Sequence, residues 1–272
     1  VLMELNWENY FYGLIIISLI VWGLEAIFPW RKNQPLFRKD FWLDTFYMFF
    51  NFFLLNLIVL IALSNSAAEI FNDLLGIIGL SVANFQLIEI NTFSFPVRIF
   101  VFFMVIDFVQ WFTHRLLHRF EFLWNFHKVH HSVKEMGFAA HLRYHWMEPV
   151  VYNSIKYIPL AIIGGFSAQD VAFVHFFNII IGHLNHANIS LDYGIFKYIL
   201  NNPKMHIWHH AKELPKERQQ GVNFGITLSI WDYLFKTNYI PHNGRDIELG
   251  FEGDENFPTD FIGQELYPLN KK

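Results

Sequence analysis

Long apolar runs separated by short polar links dominate the first two thirds of the chain. The first run, residues 11–28, is 18 residues long and is interrupted only by Ser18 and Glu25. As a helix it is long enough to cross a hydrocarbon layer of roughly 30 Å. A second run covers residues 41–63 and a third covers about 96–113. Each of these runs predicts a transmembrane helix.

The charges between the runs predict how these helices are oriented. Residues 30–40 contain Arg31, Lys32, Arg38 and Lys39, and links rich in Lys and Arg stay on the cytoplasmic side. Residues 64–95 mix acidic and apolar side chains without a single Lys or Arg. This segment is therefore expected to be a non-cytoplasmic excursion that lies partly in the membrane interface.

Two more apolar runs follow, at residues 149–166 and 171–181, separated by Gly164 and Gly165. Both outer ends of this pair adjoin histidine-rich segments, so we expect a helical hairpin that dips into or across the bilayer. From residue 201 onward the chain is mostly polar, which predicts a cytoplasmic cap.

The pattern as a whole predicts an all-α integral membrane fold. About three transmembrane helices and a helical hairpin would support a cytoplasmic, histidine-rich cap that holds a dinuclear metal site. We expect one domain over residues 1–272, made of N-terminal spans and an interfacial segment (1–95), a catalytic region (96–240) and a polar C-terminal tail (241–272). A multi-pass protein of the bacterial inner membrane or the endoplasmic reticulum is the expected location, with the metal site on the cytoplasmic side.

Composition supports a membrane protein and narrows its chemistry. Hydrophobic residues make up 53% of the chain and charged residues 16%, whereas soluble domains usually have about 25% charged residues. The absence of cysteine excludes disulfides, thiolate metal sites and iron–sulfur ligation. A net charge of -4 without a Lys/Arg run argues against a nucleic-acid partner.

The 14 histidines of the chain include three tight groups. The groups are HRLLH (His114 and His118), HKVHH (His127, His130 and His131) and HIWHH (His206, His209 and His210). Helix positions i, i+3 and i+4 share a face, so each group aims its imidazoles together. Eight imidazoles exceed what one ion can use, which favours two metal ions.

Other interpretations of the histidines are weaker. A single pair of histidines with this spacing would more often be a surface or interfacial feature. The occurrence of three such groups in one chain argues against that interpretation. Bis-histidine haem needs single histidines deep in paired helices, and an HExxH zinc-peptidase motif is absent from the sequence. A membrane metal transporter would place ligands midway along several spans.

Several further residues are candidates. His141 and His145 are four residues apart, and His183 and His186 are three apart, so all four could add ligands. His175 is expected to be a packing residue. Asp107 shares a helix face with His114, and an intramembrane carboxylate there would accept the second N–H of a ligating imidazole. Its alternative role is an ion pair with Arg115 or Arg119.

The motifs together resemble the fatty acid hydroxylase superfamily in its sterol desaturase-like branch. The matching segments are DFVQWFTHRLLH (107–118), LWNFHKVHHS (123–132), LRYHWMEP (142–149), HAN (186–188), HIWHHA (206–211) and NFGITLSIWDYLF (223–235). The resemblance implies these metal ligands: His114, His118, His127, His130, His131, His145, His186, His206, His209 and His210. It leaves His141 and His183 undecided.

The resemblance also implies a reaction. Two iron ions, with zinc able to replace them in purified protein, would use O2 as co-substrate to hydroxylate or desaturate a fatty acyl, sterol or ether lipid. No haem domain, dinucleotide fingerprint or flavin motif is recognised, so a cytochrome b5-like or ferredoxin-like protein would supply electrons. A lyase that acts on a long-chain aldehyde with the same metal site is an alternative, as is a membrane zinc or metal transporter.

Overall fold

The computed structural model describes residues 7–52, 69–70 and 72–270. These ranges contain α1 (Trp7–Ile27), α2 (Phe41–Phe49), α3 (Phe95–Arg119), α4 (Glu121–His131), α5 (Met147–Ile162), α6 (Ala168–His186), α7 (Pro203–His209), α8 (Ile230–Leu234) and α9 (Phe261–Asn270). Residues 72–77 are also helical. Two short strands, β1 (Ile88–Glu89) and β2 (Ile163–Gly164), pair in parallel, so the fold is mostly helical and not strictly all-α.

The first three predicted spans are helical wherever the structure describes them, except at Phe28, which follows the end of α1. The rest of the run at 11–28 lies in α1, and the run at 41–63 begins as α2, although its residues 53–63 lie outside the described residues. The third run forms α3, which is 25 residues long and continues through HRLLH to Arg119. Within the described residues, α3 alone has both the length and the hydropathy of a membrane span.

The predicted hairpin differs from the one observed. Both of its arms are helical, as α5 and α6, and they separate at Gly164 and Gly165 as expected. However, α5 packs mainly on α3, whereas α6 packs mainly on the 3-10 turn Phe138–Leu142 and then on α7 and α3, so neither arm packs mainly on the other. At the far end of α5, β2 pairs with β1 and fixes residues 88–89 beside the helix end.

A sharp corner between α3 and α4 positions the first two histidine motifs. Phe120 is the only residue between the helices, and its extended backbone (φ −104, ψ 120) reverses the path of the chain. The end of α3 and the start of α4 therefore lie against each other. His114 and His118 on α3 consequently face His127 and His131 on α4.

The last segment of the chain is a packed part of the fold and not a polar tail. The helix α9 packs on α4, and Phe251 and Phe257 are buried with Tyr47 and Val129 in one apolar cluster. The aromatic residues in this segment drive that burial. Residues 241–270 thus cover the helix that bears HKVHH.

Candidate metal centre

Nine histidines converge into two adjoining groups. Imidazole group 1 is His114, His118, His127, His131 and His209, and imidazole group 2 is His130, His186, His206 and His210. Within each group, the potential ligand nitrogens all lie within 4.8 Å of one another. The rings of His131 and His210 stack at 4.5 Å between centroids, so the two groups share a boundary.

Each three-histidine motif divides its side chains between the two groups. In HKVHH, His127 and His131 belong to imidazole group 1 and His130 to imidazole group 2. HIWHH has the opposite arrangement, with only His209 in imidazole group 1. The i and i+4 side chains of a helix point nearly the same way and the i+3 side chain points slightly aside. One motif can therefore contribute to two neighbouring sites.

Backbone carbonyls fix the tautomer of four imidazoles. The Nδ1–H groups donate to the carbonyls of four residues: His114 to Phe224 (2.8 Å), His130 to Arg143 (3.0 Å), His186 to Gly182 (2.8 Å) and His209 to Val222 (2.8 Å). A carbonyl only accepts hydrogen bonds, so each Nδ1 must hold the proton. Each Nε2 is left as an unprotonated lone pair, which is the form that binds a metal.

A carboxylate performs the same task for a fifth imidazole. His127 Nδ1 lies 2.9 Å from Glu148 Oε2, and Glu148 is only 4% exposed. Glu148 belongs to the LRYHWMEP segment, but the sequence motifs assign it no role. Its position at the start of an apolar helix, three residues after a histidine, was the signal that could have identified it.

The facing Nε2 atoms show that the groups suit a cation. His114 Nε2 lies 3.0 Å from His127 Nε2, and His130 Nε2 lies 3.3 Å from His186 Nε2. Because backbone carbonyls hold the Nδ1–H of both His130 and His186, this second pair brings two lone pairs together without a proton between them. Nitrogens bound about 2.1 Å from a metal at adjacent positions are separated by about 3 Å. Imidazole nitrogens also suit iron and zinc, so the residues fit a metal in each group.

Burial keeps the imidazoles neutral. Desolvation lowers the pKa of His130 to about 3. The pKa of His131, His209 and His210 also lies well below the ordinary value, first through desolvation and then through repulsion among the neighbouring imidazoles. Neutral rings at physiological pH are ready to act as ligands.

The His118 ring occupies space that a side chain at position 221 would fill. Gly221 has a φ of +96°, and a Cβ built there would lie 2.9 Å from His118 Nδ1. The His118 Nε2 is buried and has no hydrogen-bond partner in the part of the chain that the structure describes. A buried nitrogen without a partner is costly, and a bound metal would satisfy it.

Among the ten predicted ligands, the structure places His145 outside both groups. Its Nε2 lies 2.8 Å from the Glu265 carbonyl, and its Nδ1 accepts a hydrogen bond from the Met147 amide at 3.0 Å. Both ring nitrogens are therefore engaged elsewhere. The turn that starts α5 directs this side chain toward α9 and away from the other histidines.

Asp107 is buried as predicted, being 1% exposed, but its partners are different from those expected. Its carboxylate accepts hydrogen bonds from the Trp231 indole (2.8 Å) and the Leu228 amide (3.3 Å). Among the described residues Asp107 forms no ion pair with Arg115 or Arg119, and the Arg115 guanidinium lies over the Trp111 ring. Asp107 thus anchors the segment after Phe224, whose carbonyl orients His114.

The two undecided histidines lie next to imidazole group 2. His141 Nδ1 is 3.0 Å from His183 Nδ1, and His183 Nε2 is 3.1 Å from the Ser18 hydroxyl. The His141 ring also lies 5.2 Å from the His186 ring. These side chains lie beside imidazole group 2 and are not part of it.

Three characterised proteins are similar to this chain. The ornithine lipid hydroxylase OlsE of Rhizobium tropici is 28% identical over 169 residues, which is 62% of this chain and 49% of that protein. The alkylglycerol monooxygenase of Xenopus tropicalis is 26% identical over 233 residues, covering 82% of this chain and 46% of that protein. The very-long-chain aldehyde decarbonylase GL1-9 of Oryza sativa subsp. japonica is 28% identical over 168 residues, 61% of this chain and 62% of that protein.

This chain therefore spans about half the length of the first two relatives. No solved structure matches it significantly. The sequence profile of the fatty acid hydroxylase family matches residues 99–237, which is just over half of the chain. The matched region begins in α3 and includes all nine histidines of the two imidazole groups. On this basis the chain belongs to the fatty acid hydroxylase family.

Proposed function

We propose that the protein is a membrane-bound, metal-dependent oxygenase that hydroxylates or desaturates a lipid-like substrate, with O2 as co-substrate and an external electron donor. The observation that supports this most directly is the pair of adjoining imidazole groups with unprotonated, facing nitrogens. Relatives named as a lipid hydroxylase and a monooxygenase support the same class of reaction.

The proposed ligands are the nine histidines of the two imidazole groups. Two iron ions held there would supply the oxidising power for an unactivated C–H bond, and zinc is the expected substitute in iron-poor preparations. His145 is left out of the proposed set because both of its nitrogens are engaged elsewhere. Asp107 is proposed to act indirectly, by holding the loop that orients His114.

The residues around the groups position the ligands and keep water out. Backbone carbonyls and Glu148 hold Nδ1 of five imidazoles, so each ring presents Nε2 inward. The C-terminal segment covers α4 from the other side. A rigid and dry setting limits side reactions of a strong oxidant.

We further propose that the protein is multi-pass, with the imidazole groups on the cytoplasmic side. The helix α3 has the length and hydropathy of a span, and its histidines lie at one end. The basic link at residues 30–40 orients that end toward the cytoplasm by the positive-inside rule. A soluble cytochrome b5-like or ferredoxin-like donor could then reach the site.

Metal analysis and product analysis together test this function. Protein purified under iron-replete conditions is expected to hold two irons per chain and, with a reducing donor system and O2, to produce an oxidised lipid that is absent from the same host without the gene. A host whose lipid pool is unchanged while the iron-loaded protein and donor are active would contradict the proposal. Iron-free protein that moves zinc across vesicle membranes would instead indicate a transporter.

A lyase that acts on a long-chain aldehyde is the second candidate, because one relative is named as an aldehyde decarbonylase. The same histidines would serve it. Incubation with a long-chain aldehyde separates the two functions, since a hydrocarbon one carbon shorter indicates the lyase and an oxygenated or unsaturated lipid indicates the oxygenase.

A further inference from the structure

A lysine lies in the middle of the apolar helix α5. Lys156 is flanked by Ile155 and Tyr157 and is followed by Ile158 and Pro159. Among the described residues no ion pair involves Lys156. An ionisable side chain in such a segment is costly to keep and commonly marks a binding site.

Lys156 belongs to a polar stripe that starts at the metal centre. Glu148, Tyr152 and Lys156 are spaced four residues apart and so share one face of α5. Glu148 binds His127, and the Lys156 ammonium lies 5.6 Å from the centre of the Tyr152 ring. Eight residues of helix place Lys156 about 12 Å from Glu148 along the axis.

A second stripe on α6 leads to the same place. His186 of imidazole group 2, Gly182 and His175 share one face of α6, and the His141 ring lies against Gly182. His175 interacts electrostatically with both Lys156 and His141. His175 is exposed and Lys156 is half-buried, so a ligand can reach both side chains.

The hydrogen-bond donors and the positive charge of this cluster favour an anionic ligand. The Lys156 ammonium and the Tyr152 hydroxyl can donate hydrogen bonds, and the His175 imidazole can donate as well. A cationic ligand would be repelled by Lys156. A neutral apolar ligand would leave the ammonium without a counter-charge in an apolar setting. A carboxylate or phosphate group would satisfy it.

We propose that Lys156, Tyr152 and His175 bind the anionic group of the lipid substrate, whose chain then runs between α5 and α6 toward the imidazole groups. This inference rests on the proposed function and adds the charge of the substrate to it. The two stripes connect the cluster directly to both imidazole groups. The anionic group then lies about 12 Å along the α5 axis from Glu148, which contacts His127 of imidazole group 1.

Binding of chain-matched probes tests the proposal. Purified full-length, metal-loaded protein in a neutral detergent is titrated with palmitate, hexadecyl phosphate and hexadecanol. We expect at least one of the two anionic probes to bind at least tenfold more tightly than the alcohol. Inorganic phosphate at millimolar concentration is expected not to compete, since the ligand needs its alkyl chain. Full competition by phosphate would identify a free anion as the ligand and overturn the lipid assignment.

Three variants test whether Lys156 is responsible for the preference for anionic probes. Lys156→Met is expected to abolish the preference for the anionic probe while metal content and hexadecanol binding stay the same, and Lys156→Arg is expected to retain it. Lys197→Met is the matched control, because Lys197 lies 5.3 Å from the Tyr198 ring in a similar lysine–tyrosine pair outside α5. This variant is expected to bind all probes normally.

Several results would overturn the proposal: an unchanged preference in Lys156→Met, an arginine variant that behaves like the methionine variant, or equal binding of alcohol and anions by the unmodified protein. These results are independent of the proposed function. A protein that oxidises lipids but shows no anion preference refutes only this inference. A protein that binds the anions through Lys156 but oxidises no lipid refutes only the oxygenase.

Discussion

The hydrogen-bond partner of Nδ1 determines which tautomer each imidazole adopts. Four of the five Nδ1 partners that fix a tautomer are backbone carbonyls, and substitution of a side chain does not remove a carbonyl. The fifth partner, Glu148, is a side chain. It is therefore the one member of this set that mutagenesis can change directly.

Glu148→Gln is expected to weaken metal binding in imidazole group 1. A neutral amide orients His127 less firmly and no longer offsets the positive charge of the ion, and loss of such a partner typically costs about 10–100-fold in affinity. Retention of metal against a chelator measures the effect. Glu265→Gln is the matched control, because Glu265 is a buried carboxylate beside His145. Equal metal retention in the two variants would contradict the assigned role of Glu148.

His145→Gln is expected to keep the full metal complement, whereas His130→Gln is expected to lose metal from imidazole group 2. His145 links the Glu265 carbonyl to the Met147 amide and lies beside the Glu265 carboxylate and the Phe126 ring, so its loss should cost about 1 kcal/mol of stability. Metal analysis of the two purified variants provides the comparison. Metal loss in His145→Gln similar to that in His130→Gln would restore His145 as a ligand.

At the level of secondary structure elements, close packing around α6 places imidazole group 2. The helix passes so near to the 3-10 turn Phe138–Leu142 that a Cβ on Gly182 would lie 2.2 Å from the His141 ring. The turn itself is held by buried Arg143, which binds Asp44 of α2 at 2.8 Å and Ser132 at 2.8 Å. Arg143 also supplies the carbonyl that orients His130.

Gly182→Ala is expected to destabilise the protein by about 1–3 kcal/mol, because the added methyl group overlaps a ring in a filled interior. Gly23→Ala is the control, since Gly23 is also helical and a Cβ added there would have no neighbouring atom within 4 Å. That change should stabilise α1 by about 0.5–1 kcal/mol. Thermal unfolding in detergent measures both, and a neutral Gly182→Ala would show that His141 can move away freely.

At the scale of the whole molecule, the histidine motifs meet only because distant segments fold over one another. The end of α3, the helix α4, the end of α6 and the helix α7 all contribute to the imidazole groups. Residues 222–228 and the C-terminal segment then close around them. Stability and metal binding are consequently coupled.

The metal-free protein is expected to be less stable at pH 5.5 than at pH 7.5. Burial lowers the pKa of His130 to about 3 and of His145 to about 4. The unfolded chain therefore takes up protons below about pH 6.5 that the folded chain does not bind, and each such histidine costs up to about 1.4 kcal/mol per pH unit.

The titration of Glu265 changes the stability of the protein with pH in the opposite direction. Burial raises the pKa of Glu265 to about 7, so the stability it contributes is present below about pH 4.5 and is lost as the pH rises toward 7. Burial also raises the pKa of Glu148 and Asp232, but these carboxyls are outnumbered by the buried histidines, whose pKa is lowered. Denaturant unfolding of the metal-free protein at the two pH values measures the difference, and a midpoint that is equal or higher at pH 5.5 would contradict the expectation.

Local patterns predict the helices that the structure describes and the histidines that it brings together. Apolar runs predict α1, α2, α3 and the two arms at α5 and α6, because hydrophobic length and helical periodicity are properties of contiguous residues. The three histidine motifs are equally local, since helical spacing alone puts their side chains on one face. Nine of the ten predicted ligand residues are indeed brought together.

Tertiary structure decided what depends on contacts between distant residues. The division of each motif between two groups, the pairing of Glu148 with His127, the position of His145 outside both groups and the partners of Asp107 all involve residues far apart in the sequence. The same is true of the C-terminal segment, which covers α4 because its aromatic side chains find an apolar surface there. The sequence by itself determined which side chains could bind a metal. Folding determined the direction of each lone pair, because the partner of the other ring nitrogen comes from another segment of the chain.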